Sequence, residues 1–167
     1  FDGATSLVPY RDSAGLTGGF IASQLARDAF AVNIGSLREL ALKANQSIGE
    51  AITRGGIDIS KKENRWATTA AVVRLHDDLF EWVQIGDSLI IVVYKDGAFK
   101  LLVEEYDHDR DTLILWKELA ELDIQDIRSE LSDQILSVRR RMNIDYGCLN
   151  GEDVAADMIN QARDFLL

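Results

Sequence analysis

The sequence predicts an α+β fold in which a pair of helices precedes a run of short antiparallel strands and further helices follow. Three observations predict it. Apolar residues recur at helical spacing over residues 19–54, four β-rich runs fill residues 66–103, and helical spacing returns from residue 113. This grouping of elements is typical of layered α+β domains. The chain has 167 residues, 47% of them hydrophobic, so a single domain spanning residues 1–167 is predicted.

Two helices are predicted in the first third of the chain. Residues 19–32 carry apolar side chains three and four positions apart, and Asn33 and Gly35 are predicted to end that helix. Ser36 followed by Glu39 has the spacing of a capping box, which predicts the start of a second helix. The second helix is expected to turn one apolar stripe toward the core, formed by Leu37, Leu40, Ala41, Ala44, Ile48 and Ile52.

Four β-rich runs follow the helices, over residues 66–75, 79–85, 89–94 and 98–103. Their connections are short, and Asp96-Gly97 is typical of a two-residue hairpin turn. Strands joined this tightly are predicted to form one antiparallel meander. Apolar side chains at nearly every position of residues 89–93 predict a central strand that is covered on both faces.

The last third of the chain is predicted to be mainly helical. Helical patterns cover residues 113–122 and 124–142, residues 143–153 are rich in turn formers, and residues 154–167 again show helical spacing. The first strand is predicted at the other end of the chain, where Phe1 leads through Asp2 into a turn at Gly3.

Charge and composition exclude several classes of function. The net charge is −10, which argues against nucleic-acid binding because phosphate contacts need clustered Lys and Arg. No run approaches eighteen apolar residues, so no membrane span is predicted. Cys148 is the one cysteine, and we interpret it as a packing residue. Because a single cysteine cannot form an internal disulfide, a reducing, cytoplasmic setting is predicted.

Candidate metal ligands occur where glycine follows or precedes an acid at a strand end. Asp2-Gly3 follows an apolar residue, and Gly86-Asp87-Ser88 follows a β-rich run. Hard divalent cations prefer carboxylate and carbonyl oxygens, and glycine lets the backbone approach the ion closely. Each pair alone is typical of an ordinary turn, as Asp96-Gly97 illustrates, and an ordinary turn remains an equal interpretation of Asp87.

The order of these motifs resembles the metal-dependent protein phosphatases of type 2C, including the bacterial relatives grouped with stage II sporulation protein E. The matching segments span most of the chain: Phe1-Asp2-Gly3, Gly18-Gly19 with Ala22, Trp66-Ala67-Thr68-Thr69-Ala70, Val83-Gln84-Ile85-Gly86-Asp87-Ser88, and Tyr146-Gly147 through Asn150-Gly151. The last of these is similar to the loop before the final catalytic strand of bacterial members. The resemblance implies an antiparallel two-sheet sandwich flanked by helices, in αββα layers.

The resemblance also implies an activity, the hydrolysis of phosphoserine and phosphothreonine in phosphoprotein substrates. Members use two Mn²⁺ or Mg²⁺ ions to activate water. By resemblance, Asp2 bridges the two ions as the catalytic carboxylate, and Gly3 ligates one ion through its carbonyl. Asp87 lies where some members hold a third metal.

Two departures from the family pattern affect the expected chemistry. Ala4 stands where many members carry a histidine that protonates the leaving group, and none of the nearby hydroxyls of Thr5, Ser6 and Tyr10 is a suitable acid near neutral pH. The family's phosphate-binding arginine lies upstream of its first Asp-Gly pair; Arg11 could reach the site instead, although an exposed loop position is the simpler interpretation.

The ligand set also predicts an incomplete domain, truncated at both ends. Members carry one acidic ligand before the first Asp-Gly pair and further ligands in a region corresponding to the chain beyond Leu167. We therefore expect weak metal binding and weak turnover from this stretch alone. The oligomeric state is not predicted.

Alternative functions remain open at this point. The incomplete ligand set and Ala4 also suit a non-catalytic phosphatase-like module that binds a partner, and an unrelated α+β domain could share the same turns. Residues 107–118 place acids at calcium-loop spacing, but Thr112 occupies the position that needs glycine. We interpret that stretch as a solvated connection.

Overall fold

The chain is described from a computed structural model, for residues 1–77, 79–103, 109–140, 147–151 and the backbone of 160–165. The α-helices are α1 (Gly18–Ala31), α2 (Leu37–Arg54), α3 (Arg110–Glu121), α4 (Ile127–Glu130) and α5 (Ser132–Arg140). The strands are β1 (Asp2–Gly3), β2 (Thr68–Leu75), β3 (Leu79–Ile85), β4 (Ile91–Val93), β5 (Phe99–Leu101) and β6 (Asn160–Phe165). The predicted α+β class is confirmed for these residues, which form five α-helices and two antiparallel sheets.

The strands form two separate sheets, so the prediction of one four-stranded meander is wrong. The larger sheet has the order β1-β2-β3-β6, and the smaller one pairs β4 with β5. β3 lies between β2 and β6, so the edge that β4 would occupy is already taken. β4 and β5 instead form the second hairpin through the Asp96-Gly97 turn, where Gly97 has a φ of 87°.

The principal core lies between α1, α2 and one face of the larger sheet. The apolar stripe predicted for α2 is confirmed, since all six of its residues are buried. Ala22 and Ala26 of α1 have no exposed surface, and their small side chains let α1 lie close to α2. The sheet contributes alternate residues to the same core, namely Ala70, Val83 and Ile85.

The helix boundaries agree with the predicted signals. Asn33 and Gly35 follow α1 with φ angles of 51° and 94°, a left-handed conformation that ends a helix. Ser36 and Glu39 form the complete capping box: the Ser36 side chain accepts from the Glu39 amide, and the Glu39 carboxylate accepts from the Ser36 amide. These hydrogen bonds from Ser36 lower the pKa of Glu39.

The opposite face of the larger sheet meets the β4–β5 hairpin. Phe80 and Trp82 of β3 pack with Ile90 and Val103, which flank the hairpin strands. The outer face of the hairpin is open, so the prediction that residues 89–93 are covered on both sides is wrong. Its exposed apolar side chains are Ile91, Val93, Phe99 and Leu101.

The last predicted elements are only partly confirmed. α3 covers the first predicted helix of this region, whereas the pattern over residues 124–142 is divided into α4 and α5 at Leu131. The helix predicted over residues 154–167 is wrong for residues 160–165, because β6 pairs there along the central strand β3. Sheet pairing therefore overrides the local helical spacing. Among the described helices, none combines the length and the apolar composition that crossing a membrane requires.

Candidate functional site

The site is built around the start of β2, where β1 is attached. Asp2 lies directly opposite Thr69, and Gly3 lies opposite Thr68. The hydroxyl of Thr68, which has no exposed surface, donates to the backbone carbonyl of Asp2 at 2.9 Å. Residues paired in this way project to the same side of a sheet, so the exposed side chain of Asp2 lies beside that of Thr69.

Gly3 and Gly19 allow the β1 backbone to contact the start of α1. A Cβ atom on Gly3 would lie 2.2 Å from the Gly19 carbonyl oxygen, and one on Gly19 would lie 2.3 Å from the Ala4 oxygen. Neither position tolerates a side chain without a backbone shift. The glycines of the Asp-Gly and Gly-Gly motifs are therefore required for close packing, whatever the chemistry of Asp2.

The turn Gly86-Asp87-Ser88 lies against the same threonine. Gly86 has a φ of 80°, and a Cβ there would be 2.6 Å from Cγ2 of Thr69. The hydroxyls of Ser88 and Thr69 are hydrogen-bonded at 2.8 Å. The structure thus brings both motifs into contact with Thr69, Asp2 through strand pairing and the Asp87 turn through Ser88, although the motifs are far apart in sequence.

The segment 147–151 completes this part of the sheet. Pairing between β2 and β3 ends at Ala70 and Ile85, and Leu149 takes the next place by exchanging two backbone hydrogen bonds of 3.0 Å with Thr68. Cys148 is fully buried, which agrees with its interpretation as a packing residue. Burial, and secondarily the charge of Asp87, raises the pKa of Cys148 to about 12, so this thiol is no nucleophile near neutral pH.

Asn45 on α2 holds this segment in place and was missed in the sequence. Its side-chain oxygen accepts from the amides of Asn150 and Gly151, at 3.0 and 2.9 Å. Asn45 is buried and falls on the apolar stripe, one turn after Ala41 and three residues before Ile48. The sequence signal was a polar residue within the apolar stripe of α2, because a buried side-chain amide needs hydrogen-bond partners.

The other predicted residues line a cleft next to Gly3. Residues 3–11 and the start of α1 enclose about 530 Å³, with Ser6, Tyr10 and Arg11 in the walls. Tyr10 packs on Trp66 with ring centroids 4.5 Å apart, which makes it a structural residue. Arg11 is exposed, as the simpler interpretation predicted, and donates to the Gly15 carbonyl at 2.7 Å.

The described residues contain few of the groups that a metal centre would need. Within them, no three or more His, Cys, Asp or Glu side chains converge on a point suited to a metal ion. Asp2 and Asp87 offer two exposed carboxylates, and Gly3 offers a backbone carbonyl. Residues 107 and 108 of the acidic connection lie outside the described residues, as does Tyr146.

No family model, curated protein or solved structure matches this chain. The resemblance to type 2C phosphatases therefore stays a prediction. It rests on the order of the motifs in the sequence.

Proposed function

We propose that this chain is part of a serine/threonine phosphoprotein phosphatase that uses Mn²⁺ or Mg²⁺. The observation that carries the proposal is that Asp2-Gly3 and Gly86-Asp87-Ser88 both contact the start of β2, the first by strand pairing and the second by the 2.8 Å hydrogen bond between Ser88 and Thr69. Antiparallel pairing of β1 with β2 and of β2 with β3 places both acid–glycine motifs at the same end of the larger sheet. Segment 147–151, which belongs to the last motif of the resemblance, joins the same place through Leu149.

The described residues offer the kinds of ligand that a divalent cation prefers, but too few of them for a complete site. Asp2 provides a solvent-facing carboxylate on a rigid two-residue strand, and Gly3 provides a carbonyl beside it. Asp87 provides a second exposed carboxylate, in the turn that the hydrogen bond between Thr69 and Ser88 holds. Bound dications of this kind lower the pKa of water and supply hydroxide near neutral pH. Asp2 would hold the ions, and the side chain of Ala4 cannot protonate the leaving group.

The αββα layering belongs to the same proposal. α1 and α2 cover one face of the larger sheet, and the β4–β5 hairpin packs on the other face through Phe80 and Trp82. These contacts support the first three layers. The fourth layer would lie on the apolar outer face of the hairpin, which the described residues leave exposed.

The proposal is tested by Mn²⁺ binding and by hydrolysis of an aryl phosphate. We compare Asp2→Asn with Asp96→Asn, because Asp96 belongs to an Asp-Gly pair that only forms a hairpin turn. Asp2→Asn should weaken Mn²⁺ binding at least about tenfold and remove any metal-dependent turnover, since the amide lacks the anionic oxygen. Asp96→Asn should change neither. A chain extended at both ends should hydrolyse the aryl phosphate only with Mn²⁺ or Mg²⁺.

Equal Mn²⁺ binding by both variants would contradict the assignment of Asp2. Binding that depends on Asp2, without turnover in the extended chain, would favour the non-catalytic module. The two measurements therefore separate the enzyme from the binding module.

A further inference from the structure

The cleft beside Gly3, here called the Arg11 cleft, differs in charge from the rest of the molecule. The chain carries 28 acidic residues and a net charge of −10. None of the residues that line this cleft, all within the described part of the chain, is acidic. Asp12 follows Arg11 in sequence, but its Oδ1 accepts from the amides of Ala14 and Leu16 in its own loop. The residues that line the cleft therefore carry one positive charge, that of Arg11, and no negative charge.

Arg11 is held in a defined position at this cleft. Its backbone bridges to Thr17, and its Nη1 donates to the Gly15 carbonyl at 2.7 Å. Within the described residues, the other guanidinium N–H groups have no partner. An arginine restrained in this way loses less side-chain entropy when it binds an anion than a free surface arginine does.

Two further features of the cleft favour an anionic ligand. The α1 helix begins at its wall after the N-cap Thr17, with no acidic residue in the first turn, so the positive end of the helix dipole is not neutralised there. The hydroxyl of Ser6 is buried and has no hydrogen-bond partner in the described part of the chain. A buried hydroxyl without a partner is unfavourable, and because Ser6 lines the cleft, a shift of its side chain would let the hydroxyl donate to a ligand oxygen.

We propose that the Arg11 cleft binds an acidic side chain next to the phosphorylated residue of the substrate, with Arg11 as the specificity-determining residue. The inference rests on the proposed function, because the phosphoryl group is placed at Asp2 and the cleft adjoins Gly3. A cleft of about 530 Å³ accommodates a whole side chain and its backbone. Tyr10 and Pro9 provide apolar wall for the carbon stem of Glu or Asp, and Arg11 with the start of α1 faces the carboxylate.

The test compares phosphopeptides that differ only beside the phosphoserine, with Glu or with Ala. Binding to the chain is measured by fluorescence anisotropy in the presence of Mn²⁺. We expect the Glu peptide to bind about threefold to fivefold more tightly, and Arg11→Gln to remove that preference. The matched control is Arg27→Gln, which removes the same charge from an exposed ion pair with Asp28 on α1. It should leave the preference unchanged.

A third peptide, with Glu and an unphosphorylated serine, separates this inference from the proposed function. If its weaker binding still depends on Arg11 while Mn²⁺ binding does not depend on Asp2, the cleft stands and the phosphatase assignment fails. If Mn²⁺ binding depends on Asp2 but Glu and Ala peptides bind equally, the cleft inference is overturned alone. Equal losses in Arg11→Gln and Arg27→Gln would also overturn it, because they would show a general charge effect.

Discussion

The two faces of this molecule use the same kinds of apolar residue in opposite ways. On the side of α1 and α2, the stripe of α2 is closed against the sheet, and Ile48 and Ile52 have no exposed surface. On the outer face of the β4–β5 hairpin, Val93 is 70% exposed and Phe99 is 74% exposed. Hydrophobicity along the sequence is therefore a poor guide to which segments hold the fold together.

The difference also separates the candidate site from the exposed hairpin. β1 contacts α1 through Gly3 and Gly19, and segment 147–151 is held by Asn45 of α2. Both attachments belong to the closely packed side. We infer that the geometry around Thr69 depends on the α1–α2 layer and is insensitive to the outer face of the hairpin.

The largest expected effect compares one substitution on the two faces. Ile48→Ala should lower the free energy of unfolding by about 3 kcal/mol or more, because it leaves a cavity in a closed core. Ile91→Ala, at a position that is 56% exposed, should cost less than about 1 kcal/mol. Urea denaturation followed by circular dichroism measures both. Equal losses would mean that the hairpin face is covered in solution.

A smaller effect tests the attachment of the site to α2. Asn45→Ala leaves the amides of Asn150 and Gly151 without their acceptor, and should cost about 2 kcal/mol. Gln46→Ala is the matched control, because Gln46 is the next residue and is exposed; its effect should stay within about 0.5 kcal/mol. Hydrogen exchange should show faster exchange of the Leu149 amide in Asn45→Ala. Unchanged exchange would disprove the attachment.

The smallest perturbation uses Cys148 as a probe of the same attachment. Its pKa is raised from 9.0 to about 12, so the native thiol should react with iodoacetamide more than about 100-fold slower at pH 8 than the unfolded chain. Folding favours the protonated thiol. Its stabilising contribution is therefore complete below pH 9 and is lost as the pH rises toward 12.

Asp87→Asn provides the control for that measurement. It removes the secondary cause of the shift and leaves burial in place, so the pKa of Cys148 should fall slightly and labelling should become slightly faster. No change in the rate would show that Asp87 lies too far from the thiol to influence it.

The elements set by local signals could be predicted from the sequence. The capping box at Ser36 and Glu39, the terminator at Gly35 and the stripe of α2 depend on neighbours within one or two turns. The arrangement of the strands could not be predicted in the same way. β3 pairs with β6, which is distant in sequence, and such pairing is decided by the packing of the whole sheet.

The candidate site shows the same division. The motifs at Asp2-Gly3 and Gly86-Asp87-Ser88 could be located from residue types and order alone. The contacts that join them could not, because the hydroxyl bond between Thr69 and Ser88 crosses 19 positions and the bonds of Asn45 cross more than 100. Only the polar residue in the apolar stripe of α2 pointed to the second contact.

The large sequence separation between Asn45 and its hydrogen-bond partners has a consequence for the order of folding. Its partners Asn150 and Gly151 follow it by 105 and 106 positions, so α1, α2 and β2 leave the ribosome long before the segment that docks on them. Contacts between such distant residues require closure of a long loop. Until that docking takes place, the side-chain amide of Asn45 stays hydrated and the thiol of Cys148, which is buried in the folded protein, stays exposed to solvent.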